Sequence, residues 1–252
     1  MKFENKLIGD RWKEIIKSKK QKEKVVITVI TSESNSHCQS QWFGHVLFMA
    51  GYFDIVIFEN SDTIENYNTL KFLAHNYPNI IIKRGKFGIK KTMDKIVANR
   101  NMALSYIRKY TGYDDAIMLD SDIFPPSDII PTFLKRGLDI QCSLCFVMPD
   151  GVTKKIASNF FPEDIPVNAP QWIQTRKPRM VKIAQNGLGC VMFKANILRK
   201  HRDIKFINKK ITKQGKTWHN EDLYFTGRFR EKGYDLWLDL QMESKHIMKK
   251  RV

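Results

Sequence analysis

Short β-branched runs alternate with stretches of helical length through the first half of the chain, and this alternation constrains the fold more than any other feature. VVITVIT (25–31), DIVIFEN (54–60), NIIIKR (79–84) and AIMLD (116–120) are too short and too evenly apolar for typical helices, and they read as buried strands. Between them, Gln39–Ala50, Ile64–Asn76 (halted by Pro78) and Met93–Tyr110 read as helices. Strands and helices alternating at this length predict βαβ units, an α/β fold and a mainly parallel sheet. Past Asp122 the regularity weakens. Residues 138–148, 180–185, 189–193 and 235–240 read as strands and Glu221–Lys232 as a helix, whereas 149–179 hold five of the nine prolines and read as one long loop.

At 252 residues and 42% hydrophobic content, the chain is sized for a single large domain. Residues 1–24 stand apart. Leu7, Ile8, Trp12, Ile15 and Ile16 fall at helical spacing among nine basic and four acidic side chains, predicting a basic amphipathic helix that packs on the domain or lies on an anionic membrane surface. No apolar stretch is long enough to cross a membrane and no signal peptide is legible, so the expected location is cytoplasmic, with peripheral membrane contact as an addition. Cys38, Cys142, Cys145 and Cys190 do not form a disulfide framework, which agrees with a reducing compartment. The C-x-x-C of Cys142 and Cys145 sits in a strand-like segment without a second zinc pair and reads as structural thiols.

The formal net charge of +17 calls for a polyanionic partner. Nucleotide diphosphate, anionic membrane and nucleic acid all satisfy it, nucleic acid being the least favoured. Residues 194–216 carry nine Lys or Arg against Asp203 alone.

Three segments carry candidate chemistry. Asp120-Ser121-Asp122 ends the strand AIMLD just before Pro125-Pro126, at the sheet edge where open α/β folds bind ligands. Two carboxylates there suit a hard divalent cation, Mn²⁺ or Mg²⁺, shared with substrate phosphates; Asp and Ser are equally common turn and cap residues. Glu221-Asp222 opens a predicted helix, where acidic groups complement the dipole and where a carboxylate can also accept a proton from an attacking hydroxyl. Spacing alone leaves open which of the two does so. Asn99-Arg100-Asn101 falls early in the long helix that precedes this strand, its arginine either exposed on the helix surface or forked onto phosphate oxygens.

In order, VVITVIT, DIVIFENSDT, ANRNMAL, AIMLDSDIFPP, NGLGCVMF, NEDLYFTGRFREKGYDLWLD and His246 resemble GT-A glycosyltransferases, in particular the family-2 group, and the ANRNMAL–LDSD section resembles Anp1-type mannosyltransferases. The resemblance spans roughly residues 25–246, and the ordered set is far more specific than any one motif. It implies a Rossmann-like GT-A domain over 25–252, with a nucleotide-binding half (25–122) and an acceptor half (123–252). It further implies transfer of a sugar from a nucleotide-sugar donor to a glycan, lipid or protein acceptor, with inversion. Residue by residue, Asp120 and Asp122 match the D-x-D, Asp122 on the metal and Asp120 nearer ribose or a metal-bound water. His246 matches a histidine that completes the metal shell. Arg100 matches a basic position beside the nucleotide, Asp62 the acidic position that reads the base, and Gly187-Leu188-Gly189 the small-residue turn beside the donor sugar. Asp222 matches the base, with Glu221 on sugar hydroxyls. The lysine- and glycine-containing stretch 206–220 reads as a loop that closes over the donor, and Trp218 as a sugar-stacking or anchoring residue. A retaining enzyme on the same fold and a non-catalytic basic binding module are the rival expectations. A nucleotidyltransferase is disfavoured because TSESNSHCQ, not a glycine-rich loop with a lysine, follows the first strand.

Overall fold

The computed structural model describes residues 24–85, 88–89, 91–148, 155–156, 160–162, 179–213, 216–219 and 221–247. The helix expected over 5–20 lies outside them. The strands are β1 (Val25–Thr31), β2 (Asp54–Glu59), β3 (Ile80–Arg84), β4 (Asp115–Asp120), β5 (Ile123–Phe124), β6 (Ile140–Met148), β7 (Lys155–Ile156), β8 (Phe160–Pro162), β9 (Met180–Asn186), β10 (Cys190–Lys194), β11 (Lys210–Lys213), β12 (Lys216–His219) and β13 (Leu236–Ile247). The helices are α1 (Gln39–Ala50), α2 (Glu65–Leu73), α3 (Thr92–Lys109), α4 (Ile129–Arg136), α5 (Ala195–Lys200) and α6 (Glu221–Glu231).

The main sheet runs β3-β2-β1-β4-β10-β6-β13-β9-β8, with β5 on β13 and β7 on β6. Strands β1 to β4 are mutually parallel, β10 reverses direction between β4 and β6, and β9 reverses again beside β13. Seven of the nine strands along this path therefore point one way, and the fold is a single α/β domain with a mostly parallel sheet. Alternating residues of one strand face opposite helical layers. Val26, Ala116 and Met118 pack with Leu104 and Ile107 of α3, Leu198 of α5, and Phe225 and Phe229 of α6. Val25, Ile27, Val29, Ile117 and Leu119 pack with Trp42 and Val46 of α1, Leu70 of α2 and Phe133 of α4. Covered on both sides, these strands need apolar side chains at every position, which is why they read as unbroken runs.

Several expectations need correction. Residues 149–179 are not purely loop, since β7 and β8 fall within them. The stretch 206–220 is not a simple loop either: β11 and β12 form a separate antiparallel hairpin, Lys210 opposite His219. The last strand does not stop at 240 but continues to Ile247, through an irregularity between Asp239 and Glu243. Helices α4 and α5 were not anticipated; each is short, at 8 and 6 residues, and offers too few turns for a periodic signal. The 194–216 charges are partly structural. Lys194 pairs with buried Asp115 at 3.0 Å, and Arg199 donates twice to the Tyr113 carbonyl at 3.1 Å.

All four cysteines are free and buried. Burial pushes the Cys38 thiol up to about 11 and Cys145 up to about 12, and raises Cys142 and Cys190 well above the ordinary value, so none is a ready nucleophile.

Where β2 and β3 end, Gly85 donates its N–H to the Glu59 carbonyl at 2.6 Å. A Cβ there would overlap Asn99 Oδ1 of α3 and press on Glu59 O and Asn60 Cβ, both at 3.1 Å. Gly85→Ala is expected to destabilise the domain by about 1–3 kcal/mol through overpacking. Gly112→Ala, where a Cβ meets nothing within 4 Å, should stay within about 0.5 kcal/mol. Denaturant midpoints of the two variants check this; equal midpoints would dismiss the close approach at Gly85.

Candidate active site

Strands β1, β2 and β4 finish level with one another, Ile30 beside Asp120 and Thr31 beside Glu59, so the segments that follow them meet at one edge of the sheet. With the first turns of α3 they enclose a cavity of about 300 Å³ lined by Ser32, Asn60, Asp62, Lys95, Arg100, Asp120 and Asp122, among others. That is the carboxyl edge, where α/β sheets take ligands, and the volume is at the low end for ligand pockets. After β1 the chain makes a 3₁₀ turn over Glu33–Cys38 that packs against the acidic motif: Asn35 Nδ2 donates to Ser121 Oγ at 2.7 Å. Glu59 is fully buried, and its Oε1 accepts from Ser61 N at 2.7 Å and Asn66 Nδ2 at 2.9 Å, which shapes the loop carrying Asp62. Asp62 itself is exposed and ion-paired with Lys95 of α3.

The three residues of Asn99-Arg100-Asn101 take three separate tasks. Asn99 Nδ2 donates to the Phe58 carbonyl at 3.1 Å, tying α3 to β2. Asn101 grips Phe206 by both backbone groups, donating to its carbonyl at 2.9 Å and accepting from its N–H at 3.0 Å. Arg100, 6% exposed, turns into the carboxylates. Its Nη2 donates to both oxygens of Asp120 at 3.1 Å, its Nη1 lies 3.6 Å from Glu221 Oε1, and it contacts Asp222 Oδ1. Phe206, stacked on Phe225 of α6 at 3.9 Å between centroids, lies 5.8 Å from the guanidinium carbon. Arg100 is thus not a free surface arginine; it lies against the carboxylates while also lining the cavity.

Asp120 and Asp122 diverge. Burial pushes the Asp120 carboxyl up to about 6; Arg100 opposes this, and the charges of Asp122 and Glu221 add to it. Asp122 instead meets His246, Nε2 to Oδ2 at 3.2 Å. What brings them together is the extension of β13: His246 lies opposite Ile123 of β5, and Ile247 N donates to the Asp122 carbonyl at 2.9 Å. His246 is therefore part of the sheet, not of an exposed tail. Burial lowers the basicity of this imidazole, but the hydrogen bond and charge of Asp122, with Asp120 behind it, outweigh that and raise it overall. Its Nδ1 is buried without a hydrogen-bond partner among the described residues. Also among the described residues, no group of three or more His, Cys, Asp or Glu stands ready to enclose a metal ion.

Glu221 and Asp222 open α6, which Thr226 fastens to β9: its Oγ1 accepts from Asn186 N at 3.0 Å and donates to Asn186 O at 2.9 Å. Glu221 is buried and Asp222 partly exposed. The 187–189 turn links the two acidic motifs, because Leu188 N donates to Asp222 Oδ2 at 3.2 Å while Asp120 N donates to Gly189 O at 3.1 Å. A Cβ on Gly189 would meet Cys145 Sγ at 3.1 Å and Ile123 Cγ1 at 3.2 Å, so the small residue serves an internal approach. Gly187 is the carbonyl that Asn186 Nδ2 reaches at 2.6 Å. The backbone of Trp218 belongs to β12; its side chain lies outside the described part.

Sequence reasoning missed Lys95, Glu59, Asn101 and Phe206. Lys95 is one lysine among many in a basic chain, and the others act through contacts between distant segments. The asparagines flanking Arg100 were the only legible signal.

No family model and no curated protein matches the chain. Solved structures do. GalNAc-T7 with UDP, GalNAc and Mn²⁺ superposes over 90% of this chain and 44% of its own at TM-score 0.60 and 12% identity. S. aureus TarS 1-349 does so over 89% and 60% at TM-score 0.53 and 15% identity, and the same protein in complex with UDP over 90% and 61% at TM-score 0.52 and 14% identity. The chain spans about half the length of these proteins. At such low identity the likeness is one of architecture, and it identifies the fold of this chain as GT-A.

Proposed function

We propose that the chain is a metal-dependent glycosyltransferase that moves a sugar from a nucleoside diphosphate sugar to an acceptor hydroxyl with inversion. The observation that carries this reading is the convergence of both acidic motifs on Arg100 at the mouth of a cavity at the carboxyl edge of the sheet. The UDP bound to one TarS structure, and the UDP, GalNAc and Mn²⁺ with GalNAc-T7, make UDP-sugars the first donors to test.

The residues fit a hard divalent cation. Asp122 and His246 supply one carboxylate and one imidazole already in contact, and the orphaned Nδ1 marks the imidazole as incompletely partnered. Two protein ligands suffice when substrate phosphates complete the shell, in keeping with the lack of a closed metal cage among the described residues. When bound, the ion would neutralise charge on the departing diphosphate. The chain's own residues do the rest. Asp62, Lys95 and Asn60 line the cavity and would hold the nucleoside, with Asp120, which also lines it, nearer the ribose or a metal-bound water. Asp222, partly exposed at the start of α6, would take the acceptor proton, and buried Glu221 would hold a sugar hydroxyl. A peripheral membrane contact through residues 1–24 remains part of the proposal; among the described residues no helix is long and apolar enough to cross a membrane.

Three outcomes are expected. Asp122→Ala should abolish Mn²⁺-dependent binding of UDP or a UDP-sugar, read by calorimetry; unchanged affinity in a folded variant would remove the metal assignment. Asp222→Asn should bind donor and metal nearly normally while transfer falls by roughly 10²–10⁴-fold. If Glu221→Gln is the dead variant and Asp222→Asn the mild one, the two roles exchange; a retained anomeric configuration in the product would discard inversion. The third concerns His246, whose raised folded-state pKa means that its pairing with Asp122 stabilises the fold fully below the ordinary value of 6.5 and ceases to do so as pH rises through the folded value. Asp122→Asn should remove the hydrogen bond and the first of the two charges that raise it, leaving burial opposed by Asp120 alone, so that the His246 pKa falls in an NMR titration. An unmoved titration would show that Asp122 does not hold the imidazole.

A further inference from the structure

Arg100 was expected to contact the nucleotide, and its surroundings assign it a different task. Its forked guanidinium lies against both acidic motifs, Nη2 bidentate on Asp120 at 3.1 Å and Nη1 on Asp222, with Glu221 Oε1 at 3.6 Å. Asp120 is fixed by β4, whereas Glu221 and Asp222 come from α6, 101 and 102 positions later in the sequence. Without a cation between them, three carboxylates would repel at close range in a poorly solvated site. The guanidinium is itself held in place: Phe206 lies on one side of it, and Asn101, the next residue of α3, locks the backbone of Phe206. A planar fork whose two terminal nitrogens reach different carboxylates suits this bridging, and it leaves both of them committed to protein partners.

We infer that Arg100 is a positioning residue that sets the orientation of the base Asp222 relative to the acidic strand end, and is not primarily a ligand of the donor's diphosphate. This rests on the glycosyltransferase reading above for its effect on rate. Asp222 accepts from Leu188 N at 3.2 Å on its other oxygen, so its two oxygens face a backbone amide on one side and the Arg100 cation, as an ion-pair contact, on the other. Loss of the cation leaves Asp222 held at one oxygen only and free to rotate away from the acceptor. Lysine at position 100 restores the charge but not the fork, so it would satisfy one motif at a time.

The test combines Arg100→Lys, Arg100→Ala and Asp222→Asn, singly and together, with UDP-sugar donors and Mn²⁺, using hydrolysis where no acceptor is known. Arg100→Ala should lower kcat by roughly 10–100-fold with donor KM changed by less than about threefold, Arg100→Lys should recover part of that loss, and adding Arg100→Ala to Asp222→Asn should cost almost nothing more. A large rise in donor KM at unchanged kcat would make Arg100 a phosphate ligand and overturn the inference. So would multiplicative losses in the double variant, or a loss of rate that simply follows loss of folded protein and is not recovered by lysine. Should the wild-type protein bind no UDP or GDP with Mn²⁺ and hydrolyse no nucleotide sugar, it is the functional reading that fails. The contact is then judged by unfolding alone. Arg100→Lys and Asp222→Asn should be non-additive in the unfolding equilibrium constant by on the order of tenfold, and additivity would overturn the inference by itself.

Discussion

One cation among three carboxylates is the constraint on which the rest of this structure turns. Bringing Asp120, Glu221 and Asp222 together at a half-closed edge of the sheet is unfavourable unless charge of the opposite sign is placed between them, and Arg100 is so placed. The scaffold around it serves that placement. Asn99 ties α3 to β2, Asn101 fixes Phe206, and Thr226 fastens α6 to β9. The sheet brings Asp120 to the same edge through its register with Ile30. Fixed charges act most strongly on a reaction when the scaffold, rather than solvent, orients them.

The parallel half of the fold was legible because its cause is local in sequence. A strand covered on both faces must be apolar throughout, and four such runs separated by helical stretches leave little choice of architecture. The second half was less legible for a physical reason. There β10 and β9 run against the others, β13 bends at an irregularity and continues, and two helices are only 8 and 6 residues long. None of these leaves a periodic trace. A bulge in particular changes which face a residue occupies without changing composition, so nothing local to His246 in the sequence points to Asp122 as its partner.

The candidate site divides in the same way. Asp120, Asp122, Glu221 and Asp222 could be named because they stand at a strand end and a helix start within an ordered set of segments that resembles a known family. Their relations could not. That Asp120 faces Arg100 while Asp122 faces His246 depends on contacts between residues 20 and 124 positions apart. Lys95 and Asp62, 33 positions apart, are a further case: the acidic member was noticed, and its basic partner was hidden among 43 lysines and arginines.

The hairpin of β11 and β12 leaves the domain and returns to it between two points that α3 holds side by side, Phe206 through Asn101 and Glu221 through Arg100. Both ends of this excursion are thus pinned by consecutive residues of one helix, Asn101 and Arg100. Lengthening such an excursion is cheap, roughly 0.6 kcal/mol for each doubling when the added chain is flexible. The segment can therefore be exchanged for a longer, shorter or differently charged one while the carboxylates keep their places. In a lineage of such proteins this is where partner choice would diversify, and for an engineer it is the position at which a new recognition element could be grafted without touching the reacting groups.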